Sequence, residues 1–268
     1  MEMHGCSPLP VACGQGLDPD EQAEYRTGGS DVAMDAPGGS RLVLWDIDGT
    51  LVSVSSLSRE IYAQAFKAVV GRPLRQVADM AGRTEQAIIL DTLILNEVEG
   101  ADGLLEPFYA ALGEVTNRLR GRMATMSRAL PGAAEAVAAL AGDGVVQTVV
   151  TGNIRPLATI KLDVFGLSKG IDLDVGGYGD DSTDRAMLVR LAWERAAAKY
   201  GREFPADRVV VIGDTPHDIR GAHDVGVRAI GVATGRSSLT DLTAAGADAV
   251  LPDLTDPTVL RAAMFPEG

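Results

Sequence analysis

The stretch Arg41-Leu42-Val43-Leu44-Trp45-Asp46-Ile47-Asp48-Gly49-Thr50-Leu51-Val52 decides how the rest of the 268-residue chain reads. Its apolar run stops at two carboxylates and a glycine. Such a run, without polar alternation, reads as a parallel strand buried on both faces and followed by a loop. The shape recurs along the chain. Val145 to Val150 ends in Thr151-Gly152-Asn153, Val209 to Ile212 in Gly213-Asp214-Thr215, and Val227 to Val232 in Ala233-Thr234-Gly235. Ala247 to Leu251 is a weaker example. Helical patterns lie between several of these runs, over 132–141, 185–200, 218–224 and 239–245. Alternating strand and helix predicts an α/β fold, a doubly wound parallel sheet. Sites in such sheets form outside the carboxyl ends of the strands, which is where the polar residues of this chain gather.

One region breaks the alternation. Between Val54 and Arg128 no strand pattern is present, and residues 58–70, 84–96 and 104–126 read as helices. A helical insertion after the first strand's loop predicts a cap or lid, with stems near Ser53 and near Leu130-Pro131-Gly132. The expected organisation is a core of residues 41–53 and 129–268, a helical cap over 54–128, and an acidic leader over 1–40. The leader holds seven Gly and four Pro, with seven acids against one base, Arg26. Low hydrophobicity and high charge predict that it is disordered, and Met34 is a candidate true start. No internal repeat is visible.

Composition narrows the function. The chain is 46% hydrophobic and 23% charged, ordinary for a soluble globular protein, and long enough to bury a core without staples. No apolar run nears the roughly 18 residues of a membrane span. The first residues lack the pattern of a signal peptide, so the expected location is the cytoplasm. The net charge of −13 argues against general nucleic-acid binding. Small anionic substrates stay open, because a local basic pocket or a metal reverses the field. Cys6 and Cys13 read as free thiols in the leader, and His4 alone does not complete a metal site with them.

Asp46 and Asp48 carry the first chemical signal. Two carboxylates one residue apart at a strand end can divide their roles. One can bind a metal and attack, while the other exchanges protons with a leaving group. Gly49 lets the chain turn where a side chain would crowd a ligand, and Thr50 can donate a hydrogen bond nearby. A surface Asx-turn is the plainer alternative for an isolated pair.

In context, residues 46–52 resemble the nucleophile motif of the haloacid dehalogenase-like hydrolase superfamily. Thr151-Gly152-Asn153 is similar to its second motif, and Gly213-Asp214-Thr215-Pro216-His217-Asp218 to its acidic fourth motif. The order is right, and the 103 positions from Asp48 to Thr151 leave room for a helical cap of the C1 type. The likeness covers roughly 41–251 and implies a phosphatase of the phosphoglycolate phosphatase-like branch acting on a small phosphorylated metabolite. It implies that Asp46 attacks phosphorus to form an aspartyl phosphate and that Asp48 acts as acid, then base. Mg²⁺ is the implied cofactor, held by Asp46, the carbonyl of Asp48, and Asp214, with Asp218 behind them. Thr151, Gly152 and Asn153 would hold the phosphoryl oxygens.

The third motif departs from the pattern. Its usual Lys is missing from Gly179-Asp180-Asp181-Ser182-Thr183-Asp184-Arg185-Ala186. Arg185 is the substitute favoured here, with Lys161 and Arg155 as runners-up and a solvated first-turn residue as the alternative. In the expected cap, Gly82-Arg83-Thr84 looks like the loop that reaches the site in phosphoglycolate phosphatase-like relatives. Arg83 would then meet a substrate carboxylate or hydroxyl; otherwise it is a surface residue and Thr84 an N-cap. His217 is expected at the rim and His223 on the following helix. Trp45 should face the core, and Met80, Met123 and Met126 should fill the cap. Tyr178 is placed at the entrance.

The presence of Asp48 sets the chain apart from the dehalogenase branch. Phosphonate hydrolysis would need a cap lysine, and Lys67 is the one Lys between 54 and 128. A sugar-phosphate mutase of the β-phosphoglucomutase kind shares the Asp pair and cap. A non-catalytic phospho-ligand-binding protein is the further alternative. The sequence does not decide between monomer and homodimer.

Overall fold

The computed structural model describes residues 40–54, 57–142 and 144–266. The leader, with Met34 and both cysteines, lies outside these residues apart from Ser40. The strands are β1 (Arg41–Trp45), β2 (Val52–Ser53), β3 (Arg128–Ala129), β4 (Val145–Val149), β5 (Val209–Gly213), β6 (Arg228–Val232) and β7 (Ala249–Leu251). Five of them form a parallel sheet in the order β4-β1-β5-β6-β7. β1 lies inside the sheet, between β4 and β5, and is apolar on both faces. Leu44 stands level with Thr148 on one side and Val211 on the other.

The pleat sends alternate side chains of β1 to opposite layers. Leu42 and Leu44 pack with α7 (Arg185–Tyr200), α8 (Pro216–His223) and α9 (Leu239–Ala244). Val43 and Trp45 pack with α5 (Ala133–Ala139), α6 (Arg155–Val164) and α10 (Pro257–Met264). Trp45 therefore does point into the core. Its Nε1–H donates to Gln147 Oε1 at 3.0 Å, and Gln147 Nε2 donates to the Val137 carbonyl at 2.9 Å. The buried indole thus keeps its polar handle satisfied.

The segment between β2 and β3 is helical, as expected. It holds α1 (Leu57–Val70), α2 (Glu85–Leu95), α3 (Leu105–Arg118) and α4 (Arg120–Met126). They close around their own apolar cluster, where Phe66 meets Phe108 edge-on at 6.2 Å. The stems are tied by antiparallel pairing of Val52 with Ala129 and Ser53 with Arg128. Leu130 N–H also donates to the Leu51 carbonyl at 2.9 Å.

Some expectations need correcting. The helix expected over 104–126 breaks at Leu119, whose ψ of 7° leaves the helical range. α6 and α10 are absent from the sequence reading. α6 is wedged between two cores: Ala158 and Leu162 face the sheet layer, while Leu157 and Ile160 face the inserted helices. Apolar residues on both sides erase the single stripe that marks an amphipathic helix. Tyr178 is buried in the sheet layer, donating to the Leu173 carbonyl at 2.5 Å, and does not line the main cavity. Met123 is a core residue, but Met126 is largely exposed.

Gly132, at the return from the insertion, has φ of +77°, and a Cβ there would sit 2.2 Å from the Leu254 carbonyl. Gly132→Ala is expected to destabilise by about 2–4 kcal/mol, from positive-φ strain plus the clash. Gly142→Ala, with φ of +96° but open space around it, should cost only about 1–2 kcal/mol. Denaturant unfolding of both variants checks the difference, and equal losses would contradict it.

Candidate active site

The carboxyl ends of β1, β4 and β5 converge on one cavity of about 820 Å³. Asp46 follows β1 directly. Its N–H donates to the Ile212 carbonyl at 2.8 Å, so the β1–β5 ladder holds its backbone. The chain then turns sharply. Gly49 adopts φ of +91° and donates to the Val52 carbonyl at 2.8 Å, while Thr234 Oγ1 donates to the Gly49 carbonyl at 2.6 Å.

Asp214 follows β5 and faces the same turn. A Cβ on Gly49 would lie 2.5 Å from Asp214 Oδ2, and one on Gly235 would lie 1.6 Å from it. Both glycines are therefore required for this carboxylate to fit. Thr50 Oγ1 donates to Asp214 Oδ1 at 3.4 Å. Asp218, in the first turn of α8, closes a capping box with Thr215. Its Oδ2 accepts from Thr215 N–H at 3.1 Å and Thr215 Oγ1 at 2.6 Å.

Arg185 joins these carboxylates. It is the first residue of α7, behind the N-cap Asp184. Its Nε donates to Asp218 Oδ1 at 2.8 Å and its Nη2 to Asp46 Oδ1 at 3.0 Å; Nη2 also bonds Asp218 Oδ1. Gly221 makes the approach possible, because a Cβ there would meet Arg185 Cγ at 2.6 Å. Arg185 Nη1 is buried and has no hydrogen-bond partner among the described residues. The sequence alternative of a solvated first-turn residue does not hold.

A second cation comes from α6. Lys161 is buried, and its Nζ donates to Asp48 Oδ2 and Asn153 Oδ1, each at 2.6 Å. Asn153 Nδ2 donates to Asp48 Oδ2 at 2.7 Å and to Thr151 Oγ1 at 2.8 Å. Thr151, Asn153, Lys161 and Asp48 thus form one connected network. Arg155 instead pairs with Asp174 at 2.5 Å on the exposed side of α6.

Electrostatics follow from this crowding. Asp46, Asp214 and Asp218 each bring an oxygen within 4.8 Å of the others. Burial pushes the Asp46 carboxyl well above its ordinary range, and the Asp218 charge adds to the push while Arg185 opposes it. Burial also raises Asp214 to about 7, with Asp218 and Asp48 contributing. A buried site with more negative than positive charge suits a hard cation with oxygen ligands.

The inserted helices close the other wall. Thr84 is the N-cap of α2, accepting from Ala87 N–H at 3.4 Å. Glu85 N–H donates to the Gly152 carbonyl at 2.7 Å, and a Cβ on Gly152 would strike the Arg83 carbonyl at 2.1 Å. Arg83 lines the cavity, but its Nη2 is held by Asp91 at 2.6 Å. Glu85 is buried, lines the cavity and accepts a hydrogen bond from Tyr62 Oη. Burial raises its carboxyl to about 7, against the lowering influence of Tyr62 and Lys161. His217 begins α8 beside Arg220, at 3.2 Å, and His223 ends it.

Two of these residues, Glu85 and Tyr62, were not singled out in the sequence, and Lys161 stood there only as a runner-up. Glu85 carries no signal beyond a favourable acidic first turn. Lys161 becomes visible only once α6 is known to be a helix.

The comparisons agree with this geometry. A family model described as haloacid dehalogenase-like hydrolase matches residues 43–223, well over half the chain. A phosphoglycolate phosphatase from Agrobacterium fabrum is 28% identical over 201 residues, covering 73% of this chain and 82% of that protein. A hydrolase structure from Pseudomonas syringae aligns with TM-score 0.57 and 24% identity, over 81% of this chain and 95% of that one. A Bacteroides vulgatus structure described as "Putative beta-phosphoglucomutase" aligns with TM-score 0.60 and 17% identity, over 85% and 91% of the two chains. Both structural likenesses show the shared fold. With its parallel sheet, its Asp46–Asp48 loop and the convergence of Thr151, Arg185 and Asp214, the chain belongs to the haloacid dehalogenase-like hydrolases, in the phosphatase branch that resembles phosphoglycolate phosphatase.

Proposed function

We propose that the protein is a Mg²⁺-dependent phosphatase that hydrolyses a small phosphate monoester through an aspartyl phosphate on Asp46. The observation that carries this reading is the asymmetry of Asp46. Arg185 holds Oδ1, while Oδ2 has no donor among the described residues and Asp46 lines the cavity. In this reading residues 41–53 and 129–268 are the catalytic core, and 54–128 are the cap that shields the acyl phosphate from premature hydrolysis.

Asp46 Oδ2 attacks phosphorus in line, and the bond from phosphorus to the ester oxygen breaks. Asp48 gives its proton to the departing oxygen. It then takes a proton from the water that attacks the aspartyl phosphate, which returns Asp46 and releases inorganic phosphate. Lys161 and Asn153 fix the Asp48 carboxylate by Oδ2, which leaves Oδ1 for this transfer. The Thr151 hydroxyl, the N–H groups of Gly152 and Asn153, and Arg185 Nη1 hold the phosphoryl oxygens. Asp218 is a positioning residue, since its two oxygens are committed to Arg185 and Thr215. Asp46, Asp214 and the carbonyl of Asp48 would hold the Mg²⁺ ion. Bound there, it supplies the positive charge that offsets the anionic nucleophile and phosphate. Arg83 and Thr84 belong to the loop that borders the leaving group. The cytoplasm is the proposed location; among the described residues no helix is long and apolar enough to cross a membrane.

Wild type should release phosphate from an aryl phosphate and from at least one member of a panel of small phosphate esters in Mg²⁺. Asp46→Asn should lower that rate by at least about a thousandfold, and EDTA should silence the wild type reversibly. Isomerised sugar phosphate without free phosphate would identify a mutase instead. Bound Mg²⁺ with no turnover of any ester would favour a binding protein.

The raised carboxyls also predict a pH-dependent response to the metal. An unfolded Asp titrates near 4, whereas Asp214 titrates near 7 when folded and Asp46 is raised as well. Between these values the folded state holds protons that the unfolded state has lost. Stability without metal therefore falls as pH rises from about 4 to 7. Above that window the ionised carboxylates no longer bind protons in competition with the cation. Thermal unfolding with and without Mg²⁺ should show a larger stabilisation at pH 8 than at pH 5.5. An equal gain at both pH values would contradict this.

A further inference from the structure

The cavity wall made by the inserted helices carries its own chemical signature. Glu85 is only 7% exposed and Tyr62 3%. Tyr62 Oη bonds Glu85 Oε2, while Glu85 Oε1 has no donor among the described residues. This oxygen is not enclosed by protein, and both residues line the cavity. The Glu85 backbone is bonded to Gly152, so the side chain stands beside the phosphate-binding loop.

Among the described residues no cation pairs with Glu85 directly, although the Lys161 charge acts on it from a distance. Lys161 is committed to Asp48 and Asn153, and Arg185 to Asp46 and Asp218. Arg83 is drawn aside by Asp91. Arg59 also lines the cavity, but it is exposed, so solvent screens its charge. A ligand that brings a donor to this oxygen gains a hydrogen bond, whereas one that brings a second acceptor strips solvent from both groups and returns nothing. Once ionised, above about pH 7, the same carboxylate repels another brought into that space.

We infer that Glu85, oriented by Tyr62, makes this cavity select phosphate esters whose leaving group carries a hydrogen-bond donor, a hydroxyl or an ammonium, near the ester oxygen. A carboxylate at that position is rejected. The inference rests on the phosphatase reading and narrows its substrate class away from phosphoglycolate. Glu85 is a specificity-determining residue here and takes no part in bond breaking.

Two matched pairs of esters test this on the full-length protein in Mg²⁺ at pH 8, where Glu85 is ionised. One is 2-hydroxyethyl phosphate against phosphoglycolate, and the other is 3-hydroxypropyl phosphate against 3-(phosphonooxy)propanoate, which carries no hydroxyl. An aryl phosphate serves as the activity control. The hydroxyl member of each pair should have the higher kcat/KM by about tenfold or more, mostly through KM. Glu85→Gln removes the charge but keeps an acceptor, so kcat/KM for the carboxylate esters should rise at least about fivefold. Misfolding cannot produce such a gain. Should the variant not fold, the wild-type ratios decide alone. Equal or faster turnover of the carboxylate esters by wild type overturns the inference, as does an unchanged ratio in folded Glu85→Gln. Silence on every ester including the aryl phosphate overturns the phosphatase reading, and this inference with it.

Discussion

Arg185 makes the carboxylate cluster tenable. Three buried acids, two at the ends of neighbouring strands and one in the first turn of α8, would repel one another strongly in a low-dielectric setting. One guanidinium reaches two of them, using Nε and Nη2 on Asp218 and Nη2 on Asp46. A lysine at this place has one point of charge and no planar fork, so it could not repeat this geometry. Asp218 in turn is held by the cap of α8. The orientation of Asp46 is thus tied to the start of two helices and the end of one strand. The pair leaves charge unbalanced at Asp214, which a divalent ion would offset.

Glycine sets how closely these groups approach. Gly49 and Gly235 make room for the Asp214 carboxylate, Gly213 for Asp218, and Gly221 for Arg185. Gly152 and Gly179 do the same for backbone. A Cβ on Gly179 would fall 1.8 Å from the Gly152 carbonyl, the same carbonyl that accepts from Glu85 N–H. The inserted helices therefore press on the loop after β4 through main chain. This explains how a cap residue such as Glu85 comes to share a cavity with Asp46.

Much of the architecture was legible because buried parallel strands are short apolar runs that end at functional residues. β1, β4, β5 and β6 all read that way, and α7 was placed to the residue. What stayed hidden depends on tertiary context. α6 faces two cores and so shows no stripe. Leu119 interrupts a helical pattern that is continuous in sequence. Tyr178 sits after two glycines, which suggests an exposed turn, yet its chain runs alongside the end of β4, with Gly177 bridging Val150, and the ring is buried. The site divides similarly. Asp46, Asp48, Thr151, Asn153, Arg185 and Asp214 were named from motif and order, and all line one cavity. Thr84 caps its helix, and Arg83 reaches the cavity wall but spends its charge on Asp91. The partners of Lys161 and Glu85 are separated from them by 113 and 23 positions, and no local pattern records such a contact.

The account turns on a covalent intermediate at one carboxylate. Acid quench during turnover of a small phosphate ester in Mg²⁺, followed by borohydride reduction and peptide mass analysis, reads it directly. An aspartyl phosphate at Asp46 is reduced to homoserine, so the account predicts homoserine at position 46 and nowhere else. Steady turnover with Asp46 unmodified, or with the reduced residue at Asp48 or Asp214, would contradict it.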